Sequence, residues 1–423
     1  MDAHFSSIVL DPNGTDIQGE AARIRDRGPA TLIELPGRIR AWAITDPELL
    51  KELLVDPRVS KDPRQHWPAF INGAIDPTWP LYMWVAPNNM FTAYGSAHRR
   101  LRKFISPAFS ARRTNAMREW IAAITDELLT NLSNTSPGET VDLREGFAYP
   151  LPIRVISELM GVPHHLHTPL RRCVDELFDT SPQTPEQSAA KGTRIHSVFA
   201  DLVAYRRAHP GDDMTSLLIN QCDGENSQRS QEELIEDMKA EQLTEQELID
   251  TLLLVLSAGH ETTVNLFDHA IFALLTHLDQ YTALRTGHAD WADVVEETLR
   301  FEAPIAHLPL RYAVDDIDLN GIIIARGDPI LASYAAANRD PKTHGPDADL
   351  FDITRTDKTH LSFGHGAHHC LGASLARLEA TIALPALFDR FPNLRLATDN
   401  PTHRGTVKSF ISNGHAGLPV HLT

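Results

Sequence analysis

The chain has 423 residues, 42% of them apolar, and its 56 acidic residues outnumber 39 Lys and Arg, for a formal net charge of −17. This balance argues against nucleic acid or an anionic membrane as a partner, because binding phosphate requires an excess of Lys and Arg. No apolar run approaches the roughly 18 residues of a membrane span, and the first residues lack the basic and apolar regions of a signal peptide. Three widely separated cysteines do not indicate a disulfide framework. We therefore expect a cytoplasmic protein without a membrane anchor.

The predicted elements are mainly helices, with strands at about 30–60 and 305–335. Asp46 followed by Pro47 is typical of a helix start, and alternating apolar residues around Gly-containing turns predict the later strands. The loop at 76–92 is unusually rich in aromatic residues and Met. A single aromatic residue would simply pack on the core, but so many in one irregular segment favour a lid over a binding site.

A helical region at 97–132 is strongly basic in a chain of opposite charge. One interpretation is a solvated helix face, which is the ordinary fate of such a run. The other is a surface for an acidic partner or for an anionic ligand.

The longest predicted helix, 245–278, contains no Pro and is apolar on several faces. At 1.5 Å per residue it would span roughly 50 Å, and a helix that is apolar all round is a buried one. Thr244 and Glu247 have the spacing of a capping box at its start. The acidic segment 230–243, which begins with a similar pattern, precedes it and is expected on the surface. The last long helix is predicted at 371–390.

The most informative segment for chemistry surrounds Cys370. Gly364, Gly366 and Gly372 lie close to it, and glycines permit a tight loop and the close approach of a flat partner. A helix is predicted to begin just after the cysteine, so its sulfur should face free backbone N–H groups. These groups favour the thiolate and are expected to lower the pKa of the thiol.

Three kinds of site are compatible with Cys370. A zinc site would require three histidines crowded on one tight turn, which suits tetrahedral ligation poorly. A cysteine nucleophile would require a base, and a base adjacent in sequence rarely reaches its neighbour. The third kind is a thiolate ligand of haem iron. The histidines considered for zinc are His365, His368 and His369.

The segment FGHGAHHCLG at 363–372 resembles the haem-binding loop of cytochrome P450 monooxygenases, Phe-Gly-x-Gly-x-His-x-Cys-x-Gly, at every fixed position. The resemblance implies that Cys370 is the proximal ligand of the iron of haem b. It also implies that Phe363 packs beside the sulfur, that His368 meets a haem propionate and that Gly372 belongs to the haem site.

The same resemblance implies a fold. It is mainly α with a smaller β part (α+β), with a long central helix over the haem and the cysteine loop on the proximal side. We expect the whole chain, 1–423, to form a single domain.

The central helix contains the sequence AGHETT, which is similar to the oxygen-activation motif of the family. A glycine inside a helix costs up to about 1 kcal/mol of stability relative to Ala, which suggests a functional reason for Gly259. We expect Gly259 and Ala258 to leave a groove for a small ligand beside the haem. The resemblance implies that Thr262 hydrogen-bonds dioxygen and that Glu261 relays protons.

Glu297 and Arg300 lie three residues apart on one predicted helix face. The pair is similar to the Glu-x-x-Arg pair of the family, which implies a buried network that serves folding and haem incorporation. Arg339 is expected to complete this network.

The haem propionates need cationic or hydrogen-bonding partners. His98 and Arg102 match a His-x-x-x-Arg pattern of the family, and Arg311 matches another propionate-binding position. With His368 they make four donors for two carboxylates. The basic residues left over as candidates for contact with an acidic electron donor are Lys103, Arg112 and Arg113.

The resemblance implies a monooxygenase that inserts one oxygen atom of dioxygen into a C–H bond. Two electrons would come from NAD(P)H through a ferredoxin and its reductase, since the chain has no flavin or nicotinamide motif. Two alternatives stay open: a haem-thiolate enzyme that uses peroxide or rearranges its substrate, and a haem-based sensor without turnover.

The expected substrate is hydrophobic and fairly bulky. The stretch 59–70 and the aromatic loop that follows resemble actinomycete members that oxidise steroids and macrolactones, and a fatty acid would also fit. The predicted substrate contacts are Trp84, Met90, Phe91, Phe178, Leu254, Ile305, Ala306, Leu308, Phe410 and Ile411.

Overall fold

The computed structural model of the chain describes residues 7–223, 242–397 and 405–423. Its longer helices are α1 (Ile17–Arg25), α2 (Pro47–Val55), α6 (Gly95–Ile105), α8 (Arg118–Ser133), α9 (Pro150–Met160), α10 (His167–Phe178), α11 (Pro185–Ala208), α12 (Met214–Asp223), α13 (Glu245–Thr276), α14 (Leu278–Arg285), α15 (Trp291–Phe301) and α18 (Ala373–Arg390). The shorter helices are α3 (Pro63–His66), α4 (Pro68–Ile71), α5 (Tyr82–Val85), α7 (Ala111–Ala116), α16 (Tyr334–Ala337) and α17 (Pro341–His344).

The strands are β1 (Ile8–Val9), β2 (Ala30–Leu35), β3 (Ile39–Ile44), β4 (Val59–Ser60), β5 (Val141–Asp142), β6 (His307–Ala313), β7 (Ile317–Leu319), β8 (Ile322–Ile324), β9 (Pro329–Ser333), β10 (Arg395–Leu396) and β11 (Pro419–His421). The largest sheet has the order β1-β2-β3-β9-β6-β4, so both predicted β-rich segments meet in one sheet. β7 and β8 form a hairpin at Asn320 and Gly321, both of which have positive φ. A further sheet, β10-β11-β5, was not predicted, because its strands are only two or three residues long.

Helix α13 runs through the centre of the helical part, as predicted. Thr244 and Glu247 form the expected capping box, each side chain accepting a hydrogen bond from the backbone N–H of the other. The helix ends at Thr276, two residues before the predicted end, because His277 leaves the helical conformation before α14 begins. Most of its residues are buried, and it packs against α9, α15 and α18.

The basic region at 97–132 is divided into α6, α7 and α8 rather than one helix. The break falls at a short 3₁₀ segment that contains Pro107, which cannot donate a backbone hydrogen bond. The aromatic loop 76–92 contains the single turn α5. Of the predicted acidic segment 230–243, residues 230–241 lie outside the described residues.

The largest apolar core joins α8, α9, α13, α15 and α18. Phe267 of α13 and Phe388 of α18 are among its fully buried residues. This core fixes the position of α13 relative to the start of α18, where Cys370 lies three residues before the helix. Among the described residues, no helix is long and apolar enough to cross a membrane.

Candidate haem-thiolate site

The loop before α18 holds Cys370 by its backbone. The Cys370 N–H donates to the carbonyl of Phe363 at 2.9 Å, which closes the loop on itself. Gly364 and Gly366 both have φ near +70°, in the left-handed region that favours glycine. A Cβ at Gly366 would also lie 3.0 Å from the carbonyl oxygen of Leu54, so the loop packs against the end of α2 too closely for another side chain.

The sulfur of Cys370 is exposed to a cavity rather than packed in the core. Desolvation raises the pKa of this thiol, while the backbone N–H groups of Gly372 and Ala373 and the charge of Arg102 act in the opposite direction. The expected donors are therefore present, but the prediction that they lower the pKa of the free thiol was wrong, because desolvation outweighs them. A metal ion bound by the sulfur reverses this balance, since a coordinating thiol is deprotonated outright.

The cavity extends from the cysteine loop to α13. Ala258, Gly259 and Thr262 of α13 line it together with Cys370. The Thr262 hydroxyl donates to the carbonyl of Ala258 at 2.7 Å, the bond by which a helical threonine often bends its helix. A Cβ at Gly259 would lie 2.9 Å from Ile156 of α9, so glycine also permits close packing of α9 on α13.

Glu261 is not among the residues that line this cavity. Its carboxylate is 4% exposed and accepts hydrogen bonds from Ser412 Oγ at 2.9 Å and from Arg144 Nη2 at 3.2 Å. Burial raises the pKa of Glu261, and the charge of Arg144 opposes that effect. Its role as a proton relay stays a prediction.

Sequence reasoning missed Arg144, which lies in a short π-helical turn before α9. Its guanidinium also approaches Asp268 at 3.4 Å and donates to Asn265 at 3.0 Å. Asp268 in turn accepts a hydrogen bond from His415 at 3.0 Å. The segment around Arg144 also carries Asp142 and Glu145, so no local signal in the sequence indicated that this arginine is buried.

The four residues expected to bind haem propionates all line the same cavity. The rings of His98 and His368 lie 4.1 Å apart. Arg311 is 4% exposed and bonds the hydroxyl of Tyr334. Arg102 donates to the carbonyls of residues 367 and 369, so it also supports the cysteine loop.

Lys61 is a further buried basic residue in this cavity, which sequence reasoning also missed. It lies in the stretch that resembled the actinomycete members, but only the folded chain brings it close to Arg311 and His368.

Glu297 and Arg300 form a fully buried, doubly hydrogen-bonded ion pair with N–O distances of 2.7 and 2.8 Å. The third member of this network is Arg355, whose Nε lies 3.7 Å from Glu297 Oε1. The prediction that Arg339 completes the network was wrong. Arg339 pairs with Glu302 at 2.7 Å, because its guanidinium stacks over the ring of Phe301 at the end of α15.

Five of the predicted substrate contacts line the cavity, and two more line an adjoining compartment that shares its walls. The first group is Met90, Phe91, Leu254, Ile305 and Leu308. Trp84 and Phe178 form the second group and lie edge to face, 5.2 Å apart. Ala306, Phe410 and Ile411 were wrong as cavity contacts, because they are fully buried in the core and line neither space.

The zinc interpretation finds no support in the described part of the chain. The groups there that are spaced to share a metal ion are Asp268 with His269 and His415, and Cys222 with Asp223 and Glu245. Neither group includes Cys370.

The residues of the cavity fit a haem. A cysteine sulfur is presented on a backbone-constrained loop, apolar side chains line the walls, and basic side chains that could pair with two propionates share the same cavity. Burial also lowers the pKa of His98 to about 4, so this ring is a neutral partner at physiological pH. Fold and site together define a haem-thiolate protein.

Comparison with known proteins gives the family directly. The family model described as Cytochrome P450 matches residues 34–287 and 292–407. The chain belongs to the cytochrome P450 family and is a monooxygenase, whose cofactor is haem b, whose co-substrate is dioxygen and whose electrons come from NAD(P)H through redox partners.

Two curated relatives and one solved structure show the extent of the similarity. The chain is 43% identical over 413 residues to a 2-hydroxy-5-methyl-1-naphthoate 7-hydroxylase of Streptomyces carzinostaticus, covering 98% of this chain and 97% of the relative. It is 35% identical over 410 residues to the 6-deoxyerythronolide B hydroxylase of Saccharopolyspora erythraea, covering 95% of each. The structure of CYP154A1 from Streptomyces coelicolor A3(2) superposes with a TM-score of 0.91 at 52% identity, covering 99% of this chain and 100% of the other.

Proposed function

We propose that this monooxygenase hydroxylates a C–H bond of a hydrophobic, fairly bulky substrate. The observation that carries the proposal is the shared cavity of Cys370 and Thr262, whose walls are largely apolar. Haem iron bound by the cysteine supplies the oxygen chemistry. The protein's own part is to exclude water, to orient the substrate and to place the Thr262 hydroxyl beside the reacting atoms.

The substrate class is supported by the lining and by the relatives. Two aromatic residues, Trp84 and Phe178, extend the apolar space beyond the cysteine cavity. One relative is named for a bicyclic aromatic carboxylate and another for a macrolactone. We propose that the substrate is polycyclic or macrocyclic, a class that includes steroids and macrolactones.

The electron donor in this proposal is a ferredoxin, reduced by its reductase in the cytoplasm. Lys103 and Arg112 are exposed and suit an acidic partner, and Lys103 directly follows Arg102, which bonds the cysteine loop. Arg113 already pairs with Asp212 at 3.3 Å and is the weaker candidate. We further propose that the whole chain acts as one domain.

The test is turnover with NAD(P)H, a ferredoxin and its reductase under ¹⁸O₂, using a panel of steroids, macrolactones and polycyclic aromatic compounds. The proposal predicts one ¹⁸O atom in each molecule of product. Turnover that requires only peroxide, or a rearranged product without ¹⁸O, would favour the alternative haem-thiolate enzymes. Reversible gas binding without turnover of any compound would favour the sensor.

A further inference from the structure

Lys61 is a basic side chain that is buried without a carboxylate partner among the described residues. It follows β4 and is 3% exposed. Its ammonium donates to the carbonyl of Pro309 at 3.3 Å and lies 3.5 Å from the centre of the Phe91 ring. Within the described residues, no Asp or Glu oxygen lies within 4.0 Å of the Lys61 ammonium, the distance that defines an ion pair. Lysines are almost never fully buried unless they are paired.

The neighbours of Lys61 make its burial more costly. Arg311 lies close enough that its charge, added to desolvation, holds the pKa of Lys61 well below its usual range. Lys61 in turn contributes to the low pKa of His368. One carbonyl and one aromatic face offset only part of the cost of desolvating an ammonium group.

The carboxylate that lines this cavity does not compensate for Lys61. Glu379 of α18 is 2% exposed, and burial raises its pKa well above its usual range, which favours the uncharged carboxyl. Lys61, Arg102 and Arg311 are therefore three basic side chains in a cavity whose described lining holds one carboxyl group, that of Glu379, and no ion pair joins that group to them.

We propose that Lys61 binds a carboxylate within the cavity, in addition to the four residues that were expected to bind the haem propionates. The ammonium lies on the boundary between Arg311, which belongs to the propionate site, and Phe91, which lines the space for substrate. The carboxylate is therefore either a haem propionate or an acidic group of the substrate. The second source rests on the proposed function, whereas the first does not.

Two binding measurements on the holoprotein distinguish these sources, and neither depends on turnover. The first is the rate of haem transfer to excess apomyoglobin. The second is the ratio of the dissociation constants of 1-naphthoate and of its methyl ester, from spectral titrations of the haem. The variants are Lys61→Met, which removes the charge at similar volume, and Lys61→Arg, which keeps it.

Lys191→Met is the matched control, because Lys191 is another buried lysine and lines a separate cavity. If the carboxylate is a propionate, Lys61→Met releases haem at least about tenfold faster than the wild type, while Lys61→Arg and Lys191→Met do not. If it belongs to the substrate, the wild type prefers naphthoate over the ester by about tenfold, and Lys61→Met loses that preference but binds the ester as before.

Either result supports the proposal. It is overturned if Lys61→Met matches the wild type both in haem release and in the ratio of the two dissociation constants. Failure of the proposed function would be seen separately, as an absence of ¹⁸O in any product while the Lys61 measurements still give their result.

Discussion

At the scale of single residues, the site depends on polar groups that are held by specific partners. Thr262 presents its hydroxyl to the cavity, whereas Glu261, one residue before it, is held in the core by Arg144 and Ser412. Adjacent helical residues point in directions about 100° apart, so the two side chains serve different surroundings. The oxygen chemistry of the cavity should therefore respond to Thr262, and the stability of the fold to Arg144.

We expect Thr262→Ala to lower product formation per NAD(P)H oxidised by at least about tenfold, because it removes the hydroxyl expected to hydrogen-bond dioxygen, and losing one such positioned donor typically costs about 10²–10³-fold. The haem content and the CO spectrum should not change. Thr276→Ala is the control, since Thr276 makes the same hydroxyl-to-carbonyl bond at the end of α13, outside the cavity. Equal losses in the two variants would contradict a role of Thr262 in the reaction.

Arg144→Met should destabilise the protein by about 3–5 kcal/mol, because it leaves the carboxylates of Glu261 and Asp268 buried without their cation. The measurement is urea unfolding of the holoprotein. Arg154→Met removes an exposed pair with Glu127 and should cost less than about 1 kcal/mol. A loss at Arg144 as small as that at Arg154 would contradict the buried network.

At the scale of elements, α15 is joined to the loop that follows α17 by one buried ion-pair network. Glu297 accepts hydrogen bonds from Arg300 and from the backbone N–H of Asp352, and it faces the guanidinium of Arg355. Arg300 also donates to carbonyls of residues 348 and 350. The network thus fixes a loop that would otherwise have few regular hydrogen bonds.

A double-mutant cycle separates the observed network from the one that was expected. Glu297→Gln combined with Arg355→Met should show a coupling free energy of unfolding of at least about 1 kcal/mol, because the two side chains share one network. Glu297→Gln with Arg339→Met should be additive within about 0.5 kcal/mol, since Arg339 pairs with Glu302. A larger coupling free energy between Glu297 and Arg339 than between Glu297 and Arg355 would contradict this account and return Arg339 to the network.

At the scale of the whole molecule, several buried groups make the fold sensitive to acid. Glu296 and Asp268 have pKa values near 2, set by desolvation against their pairs with Arg377 and His415. These two carboxylates contribute fully to the free energy of unfolding above their pKa values in the unfolded chain, which are near 4. The contribution is lost as the pH falls through about 2. Burial lowers the pKa of His307 to about 4 by desolvation alone.

The stability of the holoprotein should therefore fall as the pH decreases from about 7. Between pH 6.5 and 4 the unfolded chain binds protons that buried histidines in the folded state do not, so unfolding is favoured. His307→Leu should reduce the loss between pH 7 and pH 5 by up to about 2 kcal/mol, measured by urea unfolding. An unchanged pH dependence in this variant would contradict the neutral, buried state of His307.

The parts of this structure that sequence reasoning predicted are local in the chain. The cysteine loop, the capping box at Thr244 and the length of α13 each depend on residues within one segment, where spacing and helix geometry are decisive. The errors concern partners that are distant in sequence. Glu261 and Arg144 are 117 residues apart, and periodicity within one segment carries no information about such a pair.

The same distinction explains the substrate contacts. The residues of the aromatic loop and of α13 lie where the local pattern indicated, at the cavity. Phe410 and Ile411 are equally apolar but lie in the core, because the C-terminal segment is held by backbone hydrogen bonds to residues near Ala306. Apolar composition alone does not separate a cavity wall from a core.

The central claim, a haem held by the thiolate of Cys370, is tested most directly by the visible spectrum of the dithionite-reduced protein under carbon monoxide, beside a Cys370→Ser variant. We predict a strongly red-shifted Soret band in the wild type and its absence in the variant, because only a thiolate ligand donates that electron density to the iron. A wild-type protein without a haem band, or a red-shifted band that survives in Cys370→Ser, would contradict the assignment.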